Sequence, residues 1–188
     1  KEVKSKAGRT RLEYLEFVTP ADMQRIKAME IIPSIRPEVT LTDKLILNET
    51  IKPENGQNLG LWSNLLKQNN IIISGTDFPY HTINPLVVMY YLSSGLAVDT
   101  AANRLTNNIA QKLSVLDALK SFTVYSAFAS FAEEVKGTLE KDKFADMVVL
   151  SDDIVASDPA VLLKAKILMT IIRGEVVYEN KSPGALLY

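Results

Sequence analysis

Hydrophobic positions along this chain fall into short β-branched or alternating runs, separated in its first half by stretches with helical spacing. The clearest run is Ile71-Ile72-Ile73, followed by Ser74-Gly75-Thr76-Asp77-Phe78-Pro79. Three consecutive isoleucines predict an extended segment buried on both faces, as in a parallel sheet. Gly75 is expected to let the backbone turn, and Pro79 prevents the strand from continuing. Asp77 then lies just past the carboxyl end of a buried strand.

The same pattern is present upstream. Lys1 to Thr10 is a charged lead-in, and Leu12 to Val18 alternates apolar and polar positions, which predicts a strand. Thr19-Pro20-Ala21-Asp22 starts a helix with a capping threonine, a proline at the first helical position and an acid in the first turn. Met23, Ile26 and Met29 give that helix one buried face. Ile31 to Ile35 is a second short strand, closed by Arg36-Pro37. Val39 to Asn58 is polar and irregular, long enough for a functional loop. Leu59 to Lys67 carries an apolar stripe of Leu61, Trp62, Leu65 and Leu66, and Asn69-Asn70 ends it before the isoleucine strand. Strand, helix, strand, helix, strand predicts repeated βα units on a parallel sheet.

After Asp77 the character changes. Asn84 is placed to cap a helix from Pro85 to about Leu92, and Ser114 another whose apolar positions are Val115, Leu116, Ala118, Leu119 and Phe122. A third helix is expected over Val124 to Ala132. Short strands follow at Phe144 to Leu150, Lys166 to Ile172 and Glu175 to Tyr178, the last two meeting in a tight hairpin at Arg173-Gly174.

Composition narrows the function classes. The 188 residues carry 21 Lys and Arg against 22 acids, a net charge of −1, with no basic block. Nothing here favours a nucleic-acid partner. There is no cysteine, so disulfide scaffolds, thiolate metal sites and cysteine nucleophiles are excluded. No apolar run approaches the roughly 18 residues of a membrane span, and Lys1 to Arg11 does not read as a signal peptide. The compartment stays open, with the cytoplasm favoured. A single histidine, His81, is too few for a histidine-based metal site or triad assembled by this chain alone. With a start at lysine, the expectation is an incomplete protein.

Asp77 carries two readings on this pattern: an ordinary turn aspartate, or a carboxylate at the sheet edge where α/β proteins do chemistry. Three motifs bear on the choice. They are Arg11-Leu12-Glu13-Tyr14 through Thr19-Pro20 and Arg25-Ile26-Lys27; Gly75-Thr76-Asp77-Phe78-Pro79 with Ile83-Asn84-Pro85-Leu86; and Lys136-Gly137-Thr138-Leu139 followed by Ala145-Asp146-Met147-Val148-Val149-Leu150. In this order and spacing they resemble the metal-dependent amidohydrolase superfamily, in particular the large amidohydrolases related to exoenzyme regulatory proteins.

The resemblance implies an α/β fold: the C-terminal part of a TIM barrel, about strands six to eight with their helices, plus part of an attached small β-sandwich. Residues 1–134 are expected to belong to the barrel and 135–188 to the sandwich. It places Asp77 at the family's eighth-strand aspartate, a metal ligand and the acceptor of a proton from the attacking water. Tyr14 stands where the family has a sixth-strand histidine, and a neutral phenol is a poor zinc ligand. One ligand out of about four does not hold a catalytic metal. The chain alone is therefore expected to be inactive and to bind no metal.

The longer protein is expected to hydrolyse non-peptide carbon–nitrogen bonds of a small-molecule substrate with a divalent metal, zinc first among candidates. The alternative is a non-catalytic relative that binds a small molecule or a protein partner. His81 reads as a solvated loop residue ahead of a substrate contact at the barrel mouth. Glu13 would approach a metal only if the strand slipped by one residue, which turns every side chain to the other face. Glu38, after the seventh strand, reads as a surface carboxylate ahead of a substrate contact, Trp62 as core and Asp146 as structural. Three strands out of a barrel's eight leave unpaired edges, so a homo-oligomer is expected.

Overall fold

A computed structural model describes residues 8–42, 59–99, 104–106 and 111–181. Most of Val39 to Asn58, expected to be irregular, lies outside the described residues.

Three strands form the first sheet: β1 (Arg11–Leu12), β2 (Ile32–Ile35) and β3 (Ile73–Ser74), in the order β1-β2-β3. All are parallel, with Arg11 opposite Ile32, Leu12 opposite Pro33, Ser34 opposite Ile73 and Ile35 opposite Ser74. Helices Pro20–Ala28 and Trp62–Asn69 make the crossovers. The isoleucine run is buried on both faces, as its composition predicts. Ile72 packs with Ile35, Trp62 and Leu65, while Ile73 packs with Ile32 and Ala129 on the other side. Trp62 is wholly buried and belongs to the core.

The caps follow local rules. Thr19 Oγ1 accepts the Asp22 N–H at 3.2 Å and donates to the Asp22 carboxylate at 2.7 Å. Asn70, in the left-handed region at φ 60°, closes the Trp62–Asn69 helix through its N–H to the Leu66 carbonyl. Asn84 accepts the Leu86 N–H at 3.0 Å and starts the helix Pro85–Ser94. Ser114 accepts the Asp117 N–H at 3.0 Å and starts Val115–Phe122. The helix after it runs only Val124–Ala129, shorter than the expected Val124 to Ala132, with Phe131 left-handed at φ 58°.

The predicted strand from Leu12 to Val18 stops at Leu12. Tyr14 is left-handed at φ 55°, which breaks the pleat, and the burial of Leu15, Glu16 and Val18 follows no alternation. The segment is held from the side instead. Leu15 donates its N–H to the Ser34 carbonyl at 3.0 Å, and the Glu16 carboxylate accepts the Arg36 N–H.

Strands β4 (Ala97–Asp99) and β5 (Arg104–Thr106) form an antiparallel pair. The last sheet is antiparallel, β6 (Met147–Leu150), β7 (Ile167–Ile172) and β8 (Glu175–Glu179) in that order. Its hairpin turns at Arg173 (φ 51°) and Gly174 (φ 84°), both left-handed as a two-residue primed turn demands. Asp146 Oδ1 accepts the Arg173 N–H at 2.9 Å, so this carboxylate is structural, as expected. Arg9 makes a long-range clamp. Its guanidinium takes the Glu133 carboxylate with two nitrogens, donates to the Phe128 carbonyl and stacks 3.6 Å and 4.5 Å from the Phe128 and Phe131 ring centroids.

Candidate active site

Parallel strands bring their carboxyl ends to one edge, and here that edge collects Tyr14 after β1, Arg36 and Glu38 after β2, and Asp77 after β3. The two residues singled out from sequence are in direct contact: the Tyr14 hydroxyl donates to Asp77 Oδ1 at 2.5 Å. This hydrogen bond, and next the cost of partial burial, raises the Tyr14 phenol above its ordinary value, so it stays neutral and a donor at neutral pH. Asp77, like Tyr14, is left-handed, at φ 54°. Left-handed backbone is tolerable for aspartate and unfavourable for tyrosine. Asp77 also serves a turn, since its carbonyl accepts the N–H of Tyr80 at 3.1 Å and of His81 at 3.4 Å. The Asp77 main chain thus makes a turn while its side chain faces Tyr14.

His81 is partly buried in that turn, and among the described residues its ring makes no hydrogen bond to Tyr14 or Asp77. Glu13 does not approach them as a ligand. Its carboxylate takes Arg11 Nε at 3.1 Å, Arg36 Nη2 at 3.0 Å and the Ser34 hydroxyl. Arg36 also donates to Ser34 Oγ and to its neighbour's carbonyl, and its guanidinium lies 5.5 Å from the Tyr14 ring centroid. These side chains, with Ser74, line a cavity of about 450 Å³ beside the Tyr14–Asp77 pair.

Gly75 has a different role from the one its turn-like setting suggests. Its φ is not among the positive values, but a Cβ there would stand 2.9 Å from Arg36 Cζ. The missing side chain makes room for the guanidinium.

Glu38 corrects the sequence reading most sharply. Expected at the surface, it is 4% exposed in the first turn of the helix Pro37–Thr42. Burial pushes its carboxyl up to about 7; the Thr82 backbone N–H opposes this in part, and the charge of nearby Asp77 adds to it. A group so placed exchanges protons near neutrality. The sequence signal was an acid directly after the strand-closing Pro37, but nothing local distinguished a buried acid from a solvated one.

The described residues do not by themselves offer a donor set that fits a divalent metal. Among the described residues no three His, Asp or Glu side chains converge, and the Asp77 oxygen already takes the phenol hydrogen.

Parallel βα units that gather polar side chains at their carboxyl edge define a mixed α/β fold with a candidate site at that edge, and comparison with known proteins gives the family. The amidohydrolase family matches residues 1–178, and the chain belongs to it. The protein YtcJ of Bacillus subtilis (strain 168), which carries an amidohydrolase name, is 26% identical over 178 residues. That match covers 90% of this chain and 32% of YtcJ. LONG AFTER FAR-RED 3 of Arabidopsis thaliana is 27% identical over 180 residues, covering 90% of this chain and 29% of the relative. The chain thus spans about a third of the curated relatives it matches. In fold it is similar to an uncharacterized metal-dependent hydrolase from Pyrococcus horikoshii OT3, with a TM-score of 0.66 and 22% identity over 81% of this chain and 30% of that one. A mixed α/β fold of the amidohydrolase kind is established. No helix among the described residues is long and apolar enough to cross a membrane.

Proposed function

We propose that this chain supplies strands six to eight of a longer metal-dependent amidohydrolase barrel. Residues 1–134 belong to that barrel and 135–188 to a composite β-sandwich. In this reading Asp77 is the carboxylate of the catalytic centre and Tyr14 occupies a metal-ligand histidine's place. The longer protein hydrolyses a non-peptide carbon–nitrogen bond, with a divalent metal, zinc foremost, held mainly by residues outside this chain. What supports the reading is the meeting of Asp77 and Tyr14, 2.5 Å apart, at the carboxyl edge of parallel strands in an amidohydrolase-family chain.

The test is hydrolysis of a panel of N-acyl amino acids and cyclic amides by the longer protein, with and without chelator. Asp77→Asn should lower a chelator-sensitive rate by about 100- to 10,000-fold, the range of a lost acid–base group. Equal rates in the variant and the parent would refute the assignment. The isolated chain should copurify without stoichiometric metal, and metal analysis finding one ion per chain would overturn that. With its outer strands unpaired it should also self-associate, so a monomer mass by light scattering at micromolar concentration counts against the barrel-segment reading.

One observation favours a second reading. The Tyr14 hydroxyl closes on the oxygen that a metal would use. A non-catalytic relative binding a small molecule or a protein would show neither hydrolysis nor bound metal at full length.

A further inference from the structure

Tyr14 follows β1 and Asp77 follows β3, yet β1 and β3 are not neighbours: β2 lies between them. Two strand spacings amount to about 10 Å, so the pair meets only by reaching over the end of β2. Arg36 stands at that end, just past Ile35. Its grip on the tyrosine side is double. Arg36 Nη2 donates to the Glu13 carboxylate at 3.0 Å, and its main-chain N–H donates to the Glu16 carboxylate, so one residue holds the chain before and after Tyr14. Ser34 adds its hydroxyl to Glu13 and accepts the Leu15 N–H at its carbonyl. Tyr14 itself sits at φ 55°, which a tyrosine disfavours and keeps only where its flanks are fixed. On the aspartate side the Arg36 guanidinium rests against Gly75, two residues before Asp77, where a Cβ would stand 2.9 Å from Cζ.

We infer that Arg36 is a positioning residue: its guanidinium, wedged between Glu13 and Gly75, sets the approach of the Tyr14 hydroxyl to Asp77. The inference rests on the reading of Asp77 and Tyr14 as the site's pair. The guanidinium is suited to the task because it is itself immobilised. Nη1 donates to Ser34 Oγ at 3.1 Å and to the Ile35 carbonyl at 2.9 Å, while Nη2 takes Glu13. A planar fork meets these three acceptors at once, which a single point charge does not. The same group lies 5.5 Å from the Tyr14 ring centroid, so the ring has a fixed neighbour on the side of β2.

Infrared spectroscopy of the purified chain tests this without any substrate. The tyrosine C–O stretch reports what the hydroxyl donates to, and the difference from Tyr14→Phe isolates Tyr14 among the seven tyrosines. Asp77→Ala removes the acceptor and identifies the carboxylate-bonded band. That band should be lost in Arg36→Met, which keeps the length of the side chain and the main-chain bond to Glu16 but not the fork. It should be lost in Glu13→Ala and kept in Glu13→Gln, whose amide oxygen accepts from Arg36 at the same reach. Amides of the β6–β8 sheet, such as Val148 and Thr170, should keep their hydrogen-exchange rates throughout. The band surviving in a folded Arg36→Met chain overturns the inference; should that variant not fold, the band surviving in Glu13→Ala does the same. Loss of the band together with faster exchange at Val148 and Thr170 also overturns it, because the effect is then unfolding. Failure of the Asp77 reading looks different: Asp77→Asn would leave hydrolysis by the longer protein intact while the band pattern stood.

Discussion

Replacing Glu38 by glutamine should change how stability depends on pH, in a direction set by burial. The carboxyl moves from 4.5 to about 7 on folding, chiefly through burial. At about 1.4 kcal/mol for each pH unit this amounts to about 3 kcal/mol of preference for the protonated form. The folded chain holds this proton more tightly than the unfolded chain. Its contribution is therefore present below pH 4.5 and is lost as pH rises towards 7 and beyond. Glutamine has nearly the same shape and nothing to ionise. The difference in unfolding free energy, Glu38→Gln minus parent, should rise by about 3 kcal/mol between pH 4.5 and 8 and then level off. Urea unfolding of both chains at four pH values measures it, because the other titrating groups cancel in the difference. A flat difference, or one that grows towards acid pH, would falsify the burial argument.

Three further outcomes are expected. Ultraviolet titration of the tyrosines should show one phenol ionising above the ordinary range in the parent, absent in Tyr14→Phe and returned to the ordinary range in Asp77→Asn, because the Asp77 hydrogen bond is the first cause of its rise. Gly75→Ala should destabilise by about 1–2 kcal/mol, because a guanidinium held by Glu13, Ser34 and Ile35 must move; denaturation of the double variant with Arg36→Ala should show the two losses to be less than additive. Arg9 holds the Glu133 carboxyl down at about 2, so that pairing is present above pH 4.5 and fades as pH falls towards 2. Arg9→Met should therefore weaken the acid-side slope of the unfolding free energy while leaving its alkaline side unchanged.

The sequence was most readable where local chemistry decides structure. Thr19, Asn84 and Ser114 cap helices through bonds spanning two or three residues, and Ile71 to Ile73 carry their burial in their own side chains. It was least readable where distant segments meet. The alternation from Leu12 to Val18 promised a strand, but the left-handed Tyr14 and the side-chain grip of Glu16 on Arg36 shortened it to Arg11–Leu12. Glu38 looked like a surface acid because its burial depends on a loop some forty positions later. Gly75 read as a turn residue, but its spatial partner is the guanidinium of Arg36, just past β2. Of the candidate site, the family pattern singled out Asp77 and Tyr14, and it said nothing of their contact.

The Arg9 clamp has a consequence for how this polypeptide acquires its shape. Arg9 and Glu133 lie 124 positions apart, so the bond closing the start of β1 onto the segment beyond the last helix waits for nearly the whole intervening length to exist and arrange itself. During synthesis, β1 emerges long before the segment that secures it. A shortened product ending before Glu133 would leave that strand with its guanidinium unclaimed and its edge open to any passing β-segment.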